Sequence, residues 1–154
     1  MRLTICAVGR LRSGPERALI DDYLGRFAKT GRALGLGGIE LAQVDAKGAG
    51  QEAEHRLLEK ALPAGAARVV LDERGRMLSS PELAERLAGW RDGARDAAFV
   101  IGGADGVTEE MRGSAELLLS FGPMVWPHAL ARVMLAEQLY RAATILAGSP
   151  YHRM

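Results

Sequence analysis

The stretch Ala97-Ala-Phe-Val-Ile-Gly-Gly-Ala-Asp-Gly106 decides the fold class. Its five leading residues are an unbroken apolar run, too short for a helix and stopped by glycine. That pattern predicts a strand covered on both faces, as in a parallel sheet. The glycines that follow serve either a tight strand-to-helix turn or a close backbone approach to a ligand. Their spacing fits neither G-x-G-x-x-G nor the Walker pattern, so both readings stand. Val107, Met111, Ala115 and Leu118 then recur at helical spacing.

The same alternation repeats outward in both directions. Leu3-Thr-Ile-Cys-Ala-Val8 predicts a first strand, and Pro15 opens a helix where its missing N–H costs nothing. Leu19, Ile20, Tyr23, Leu24 and Phe27 form that helix's apolar face. Ile39, Leu41 and Val44 alternate as a second strand, and Ala53, Leu57, Leu58, Ala61 and Leu62 make the next helix. Arg68–Asp72 predicts a third strand ending in a polar turn, Glu73-Arg-Gly-Arg76. Ser79 and Glu82 have the spacing of a capping box ahead of Leu83, Leu87 and Trp90. A short strand is expected at 123–126 and a long helix at 129–147. Strand–helix alternation implies an α/β fold, a mostly parallel sheet flanked by helices, in a single domain spanning 1–154. Ligands of such sheets bind beyond the carboxyl ends of the strands. Leu71-Asp72, Gly102–Gly106 and Gly122–Pro127 are the candidates for that edge.

The 154 residues are 48% hydrophobic and 25% charged, a globular balance that excludes whole-chain disorder. No apolar run reaches the length of a membrane span, and the N-terminus lacks a signal-peptide pattern, so a cytoplasmic protein is expected. The single cysteine, Cys6, cannot form an internal disulfide and reads as a small core residue; no metal site is expected. The net charge is +1, but residues 1–32 carry +4, residues 33–112 carry −4 and residues 113–154 carry +1. The basic group Arg10, Arg12, Arg17, Arg26, Lys29 and Arg32 reads as a solvated helix face or as a contact for nucleic-acid phosphates.

Chemistry concentrates near the C-terminus. Gly122-Pro-Met-Val-Trp-Pro-His128 brackets an apolar stretch with two prolines, a pattern that leaves backbone groups free for a flat heterocycle such as adenine. The helix 129–147 is apolar nearly all round, yet carries Glu137 and Arg141 four apart on a strip with Thr144. That is an internal ion pair or one facing a second subunit, and the second is favoured. The tail Tyr151-His152-Arg153 places a stacking ring, a proton-transfer group and a phosphate-binding group side by side. His55, between Glu54 and Arg56, reads as solvated.

Val70-Leu-Asp-Glu-Arg-Gly75, Phe99–Gly106, Pro127-His128, Glu137-Gln-Leu-Tyr-Arg-Ala142 and the terminal Tyr151-His152-Arg153 together resemble the RlmH family. These are small SPOUT-superfamily methyltransferases of bacterial large-subunit ribosomal RNA, and the similarity runs over essentially the whole chain. The resemblance implies a SPOUT-type fold with a C-terminal trefoil knot, a homodimer, S-adenosylmethionine as methyl donor, and N3 of a pseudouridine in 23S rRNA within the ribosome as acceptor. It places cofactor binding on Leu71, Gly103, Gly122, Pro123, Met124, Val125, Trp126 and Pro127. His128, Arg141, Tyr151, His152 and Arg153 are its catalytic candidates, with His128 or His152 as the proton acceptor and the C-terminal residues closing over the methyl group. Trp126 and Ala129 depart from the family's usual residues. A non-catalytic ribosome-binding or assembly protein on the same fold is the alternative.

Overall fold

The structure, a computed structural model, describes residues 1–153. Five strands, β1 (Leu3–Val8), β2 (Ile39–Val44), β3 (Ala67–Met77), β4 (Ala97–Ile101) and β5 (Leu117–Ser120), form one sheet in the order β2-β1-β4-β3-β5. Every pairing is parallel, so all five carboxyl ends lie on one edge. The central strands β1 and β4 are buried along their whole length, which explains the unbroken apolar run of β4 and the run of β1 that only Thr4 interrupts.

Five helices cover the sheet: α1 (Pro15–Gly31), α2 (Gln51–Ala61), α3 (Ser80–Asp92), α4 (Glu109–Gly113) and α5 (His128–Ala147). On one face Phe27 of α1, Leu87 and Trp90 of α3, and Leu135 and Leu139 of α5 pack against Ile5, Val69 and Phe99. On the other face Leu58 of α2 and Met111 of α4 pack against Cys6, Val70 and Val100. Cys6 is buried as expected, and that burial, with Glu40 nearby, pushes its thiol up to about 11. The capping box is present: Glu82 N–H donates to Ser79 Oγ at 3.2 Å, and Ser79 N–H donates to Glu82 Oε2 at 2.6 Å.

Four local expectations are corrected. The helix expected from Val107 to Leu118 is the short α4, capped by Thr108, and Leu117–Ser120 is a strand. The strand expected at 123–126 is therefore absent, and 121–127 is a loop. β3 does not end at Asp72. Leu71 and Arg76 both register against Leu119 of β5, so residues 72–75 bulge out of the strand before it resumes. A Cβ at Gly75 would lie 2.6 Å from the carbonyl oxygen of Leu118, so a side chain has no room where the bulge crosses β5. His55 is buried rather than solvated: α2 turns it inward with Leu58, and its Nδ1 lies 3.0 Å from Thr108 Oγ1.

Candidate active site

At the carboxyl edge the β3 bulge, the β4–α4 turn and the β5–α5 loop enclose an open cleft of about 390 Å³. Leu71, Asp72 and Arg74 form one wall, Ile101–Gly106 the floor, and Phe121, Gly122, Met124, Val125 and Trp126 the other wall, with His128 at the end. Six of the eight residues expected to bind a cofactor line this space; Pro123 and Pro127 are the corners of their loop and lie outside the lining.

Each wall has a local cause. Gly106 N–H donates to the Gly103 carbonyl at 2.9 Å, closing a tight turn with Gly106 at φ +74°. A Cβ on Gly102 would stand 2.8 Å from the Gly106 carbonyl carbon, so the turn is built on that bare backbone. In the β3 bulge Arg74 N–H donates to Asp72 Oδ1 at 2.8 Å, and Arg112 of α4 pairs with Asp72 at 3.6 Å. The β5–α5 loop leaves the sheet at Gly122, φ +108°, whose N–H is tied to Ser120 Oγ at 3.0 Å. Beyond it, among the described residues, the N–H groups of Met124, Val125 and Trp126 find no backbone acceptor. Their side chains are 71%, 85% and 41% exposed.

The cleft suits a nucleoside with an aliphatic tail. Its volume lies in the range of small-molecule sites. Free backbone donors and acceptors alongside apolar side chains match a purine edge and face.

The tail is elsewhere in the same chain. Tyr151 hydroxyl donates to Glu137 Oε1 at 3.0 Å, and its ring lies edge-on to Tyr140 and under the Arg141 guanidinium, 4.7 Å in each case. Glu137 also accepts from Arg141 Nη2 at 2.7 Å, which raises the Arg141 pKa. Burial, with the Glu137 hydrogen bond next, pushes the Tyr151 phenol up to about 12, so it stays a donor. Arg141 Nη1 lies 3.2 Å from His152 Nδ1. A guanidinium only donates, so His152 accepts at Nδ1 and carries its proton on Nε2. That Nε2 is buried with no partner among the described residues. Arg153 follows, exposed. His128 and Arg141 are thirteen residues apart on α5, about 20 Å along the axis. The structure thus brings His128 to the cleft and gathers Arg141, Tyr151 and His152 into a second cluster well away from it. Asp72 was expected at this edge with Leu71; Arg74 and Arg112 are cleft residues the sequence reading did not single out, since the polar letters of 73–76 suggested only a turn.

A parallel α/β domain whose cleft sits on the glycine turn and the proline-bracketed loop defines a class, and comparison agrees. The family model described as "Predicted SPOUT methyltransferase" matches residues 1–152. The chain belongs to the SPOUT methyltransferase family, whose methyl donor is S-adenosylmethionine. It is 66% identical over 155 residues to the ribosomal RNA large subunit methyltransferase H of Cereibacter sphaeroides, covering 100% of both chains. It is 68% identical over 154 residues to the protein of the same name from Paracoccus denitrificans, covering 99% of each. The structure of a probable methylase family protein from Haemophilus influenzae shares the fold at a TM-score of 0.52 and 15% identity, covering 99% of this chain and 70% of that one.

Proposed function

We propose that the chain, a single SPOUT methyltransferase domain acting in the cytoplasm, methylates N3 of a pseudouridine in bacterial 23S rRNA on the ribosome, as a homodimer. The observation that carries this reading is the cleft, where Leu71, Gly103 and the 122–127 loop converge. Full-length identity to proteins named for large-subunit rRNA methylation supports the substrate. When bound, S-adenosylmethionine supplies an electrophilic methyl on sulfur, open to in-line displacement. The chain's own work is alignment and proton handling. The free N–H groups of the 124–126 segment orient the purine. His128, exposed at the end of the cleft, takes the N3 proton, while cationic side chains stabilise the charge left on the flanking carbonyl oxygens.

Those cations are Arg141 and Arg153, and a second copy of the chain must bring them to the cleft. Two observations support the dimer. The two clusters of one chain are separated by about 20 Å of helix. Leu130 is 41% exposed, and Val133, Met134 and Ile145 are half-buried, so α5 presents an apolar strip alongside Glu137 and Arg141. The C-terminal part is threaded as the family's knot; the full-length match to the SPOUT family supports this.

Subunit mixing tests the reading. Leu71→Arg blocks the cleft and Arg141→Ala removes the distant cation. Each variant alone is inactive on ribosomes, and a refolded mixture regains activity through one intact composite site. A mixture as inactive as its parents contradicts the composite site.

A further inference from the structure

We infer that the β1–α1 loop, through Arg10 and Arg12, is the phosphate clamp that guides the RNA strand into the cleft; this rests on the rRNA reading above. Residues 10–32 offer six cations as one group, and the structure divides them three ways. Arg17 and Arg26 are engaged by Asp21 and Asp22 at 2.9 and 3.0 Å. Lys29 and Arg32 lie at the far end of α1, roughly 20 Å from its first turn and toward the opposite edge of the sheet. Arg10 and Arg12 remain. Both are exposed, and no carboxylate among the described residues pairs with either.

Their loop is anchored at the carboxyl edge. Gly9 N–H donates to the Val44 carbonyl at 2.7 Å, Leu11 N–H donates to Gln43 Oε1 at 2.7 Å, and Arg17 Nη1 donates to the Leu11 carbonyl at 2.8 Å. Cations on a fixed platform bind a polyanion with less ordering cost than cations on a mobile one. The loop also borders the cleft: a Cβ on Gly9 would stand 3.8 Å from His128 Nε2. Arg74 lines the opposite wall. A strand whose target base enters the cleft would pass between these cations, which meets the charge of a phosphate backbone on both sides. With a chain of net charge +1, such local placement has to carry the electrostatic attraction.

The test compares wild type, Arg10→Ala/Arg12→Ala and Lys29→Ala/Arg32→Ala, which remove equal charge. Binding to purified ribosomes is followed by co-sedimentation across a salt series, with S-adenosylmethionine affinity measured by calorimetry. The loop variant is expected to bind ribosomes roughly tenfold more weakly near 0.1 M salt, with a salt slope reduced by about two. Its cofactor affinity matches wild type, and the far-end variant matches wild type in all three readouts. A loop variant with the wild-type slope, or a far-end variant weakened equally, overturns the clamp while leaving methylation intact. Loss of cofactor affinity in the loop variant assigns the arginines to the donor's carboxylate and also overturns it. A wild-type chain that binds no ribosome overturns the clamp and the function together.

Discussion

Arg132 Nη2 donates to the carbonyl oxygen of Val8 at 3.0 Å, joining the first turns of α5 to the end of the central strand β1. Nη1 adds the Gly9 carbonyl at 3.2 Å and Gln43 Oε1 at 2.8 Å. The side chain is 1% exposed and its charge is met by carbonyl and amide dipoles alone, so burial lowers its pKa. Arg132→Ala takes this donor from the Val8 and Gly9 carbonyls, while Gln43 Oε1 keeps the Leu11 N–H, and it opens a cavity at the base of the site. The expected loss is about 2–4 kcal/mol of stability, read from urea unfolding. Because His128 stands one turn earlier, cofactor affinity falls as well.

Gly102→Ala drives a methyl group against the backbone of Gly106, 2.8 Å from its carbonyl carbon. The turn that floors the cleft has to open. S-adenosylmethionine affinity is expected to fall at least tenfold by calorimetry. Gly113→Ala, where nothing lies within 4 Å, should bind as wild type does.

The tail and the cleft separate in a binding-against-turnover comparison. Deleting residues 151–154 leaves one chain's cleft untouched, so cofactor affinity is unchanged. Turnover on ribosomes is expected to fall at least a hundredfold, from loss of positioning and of charge stabilisation. Tyr151→Phe keeps the ring on Arg141 and loses only the hydrogen bond to Glu137, so its turnover falls much less.

Glu54 gives a pH-dependent outcome. Burial, then the charge of Asp105, raises its folded-state pKa, and its Oε2 has no hydrogen-bond partner. A carboxyl with a raised folded pKa binds its proton more tightly when folded, so it destabilises the fold above that pKa. The penalty fades as pH falls toward the unfolded carboxyl value of about 4.3. Glu54→Gln is therefore expected to raise the melting temperature at pH 7–8, with the gain shrinking to nothing near pH 4.

How much of this the sequence revealed depends on whether a segment's physics is local. β1, β4 and the α3 cap were legible because short apolar runs stopped by glycine and a Ser79–Glu82 spacing have one local solution. α4 and β5 were not, since Val107, Met111, Ala115 and Leu118 fit a helical period by coincidence. Tertiary pairing with β3 decided the state of Leu117–Ser120. The β3 bulge is likewise a product of register with β5; Gly75 meets its steric demand, but a glycine in a polar run reads equally as a turn. His55 looked solvated from its charged neighbours, although its spacing of three from Leu58 put it on the buried face. The three segments of the cleft were legible because a parallel sheet fixes where its carboxyl ends lie. The distance from His128 to Arg141 was available from helix length alone.

Mass spectrometry of the nucleosides in 23S rRNA tests the central claim most directly. Ribosomes from a bacterial strain lacking its own enzyme of this kind are incubated with the chain and isotopically labelled S-adenosylmethionine. The account predicts one labelled methyl group, on N3 of pseudouridine, and none when Gly102→Ala replaces the wild type. Label on a different nucleoside, or none with a chain that binds the cofactor, would contradict it.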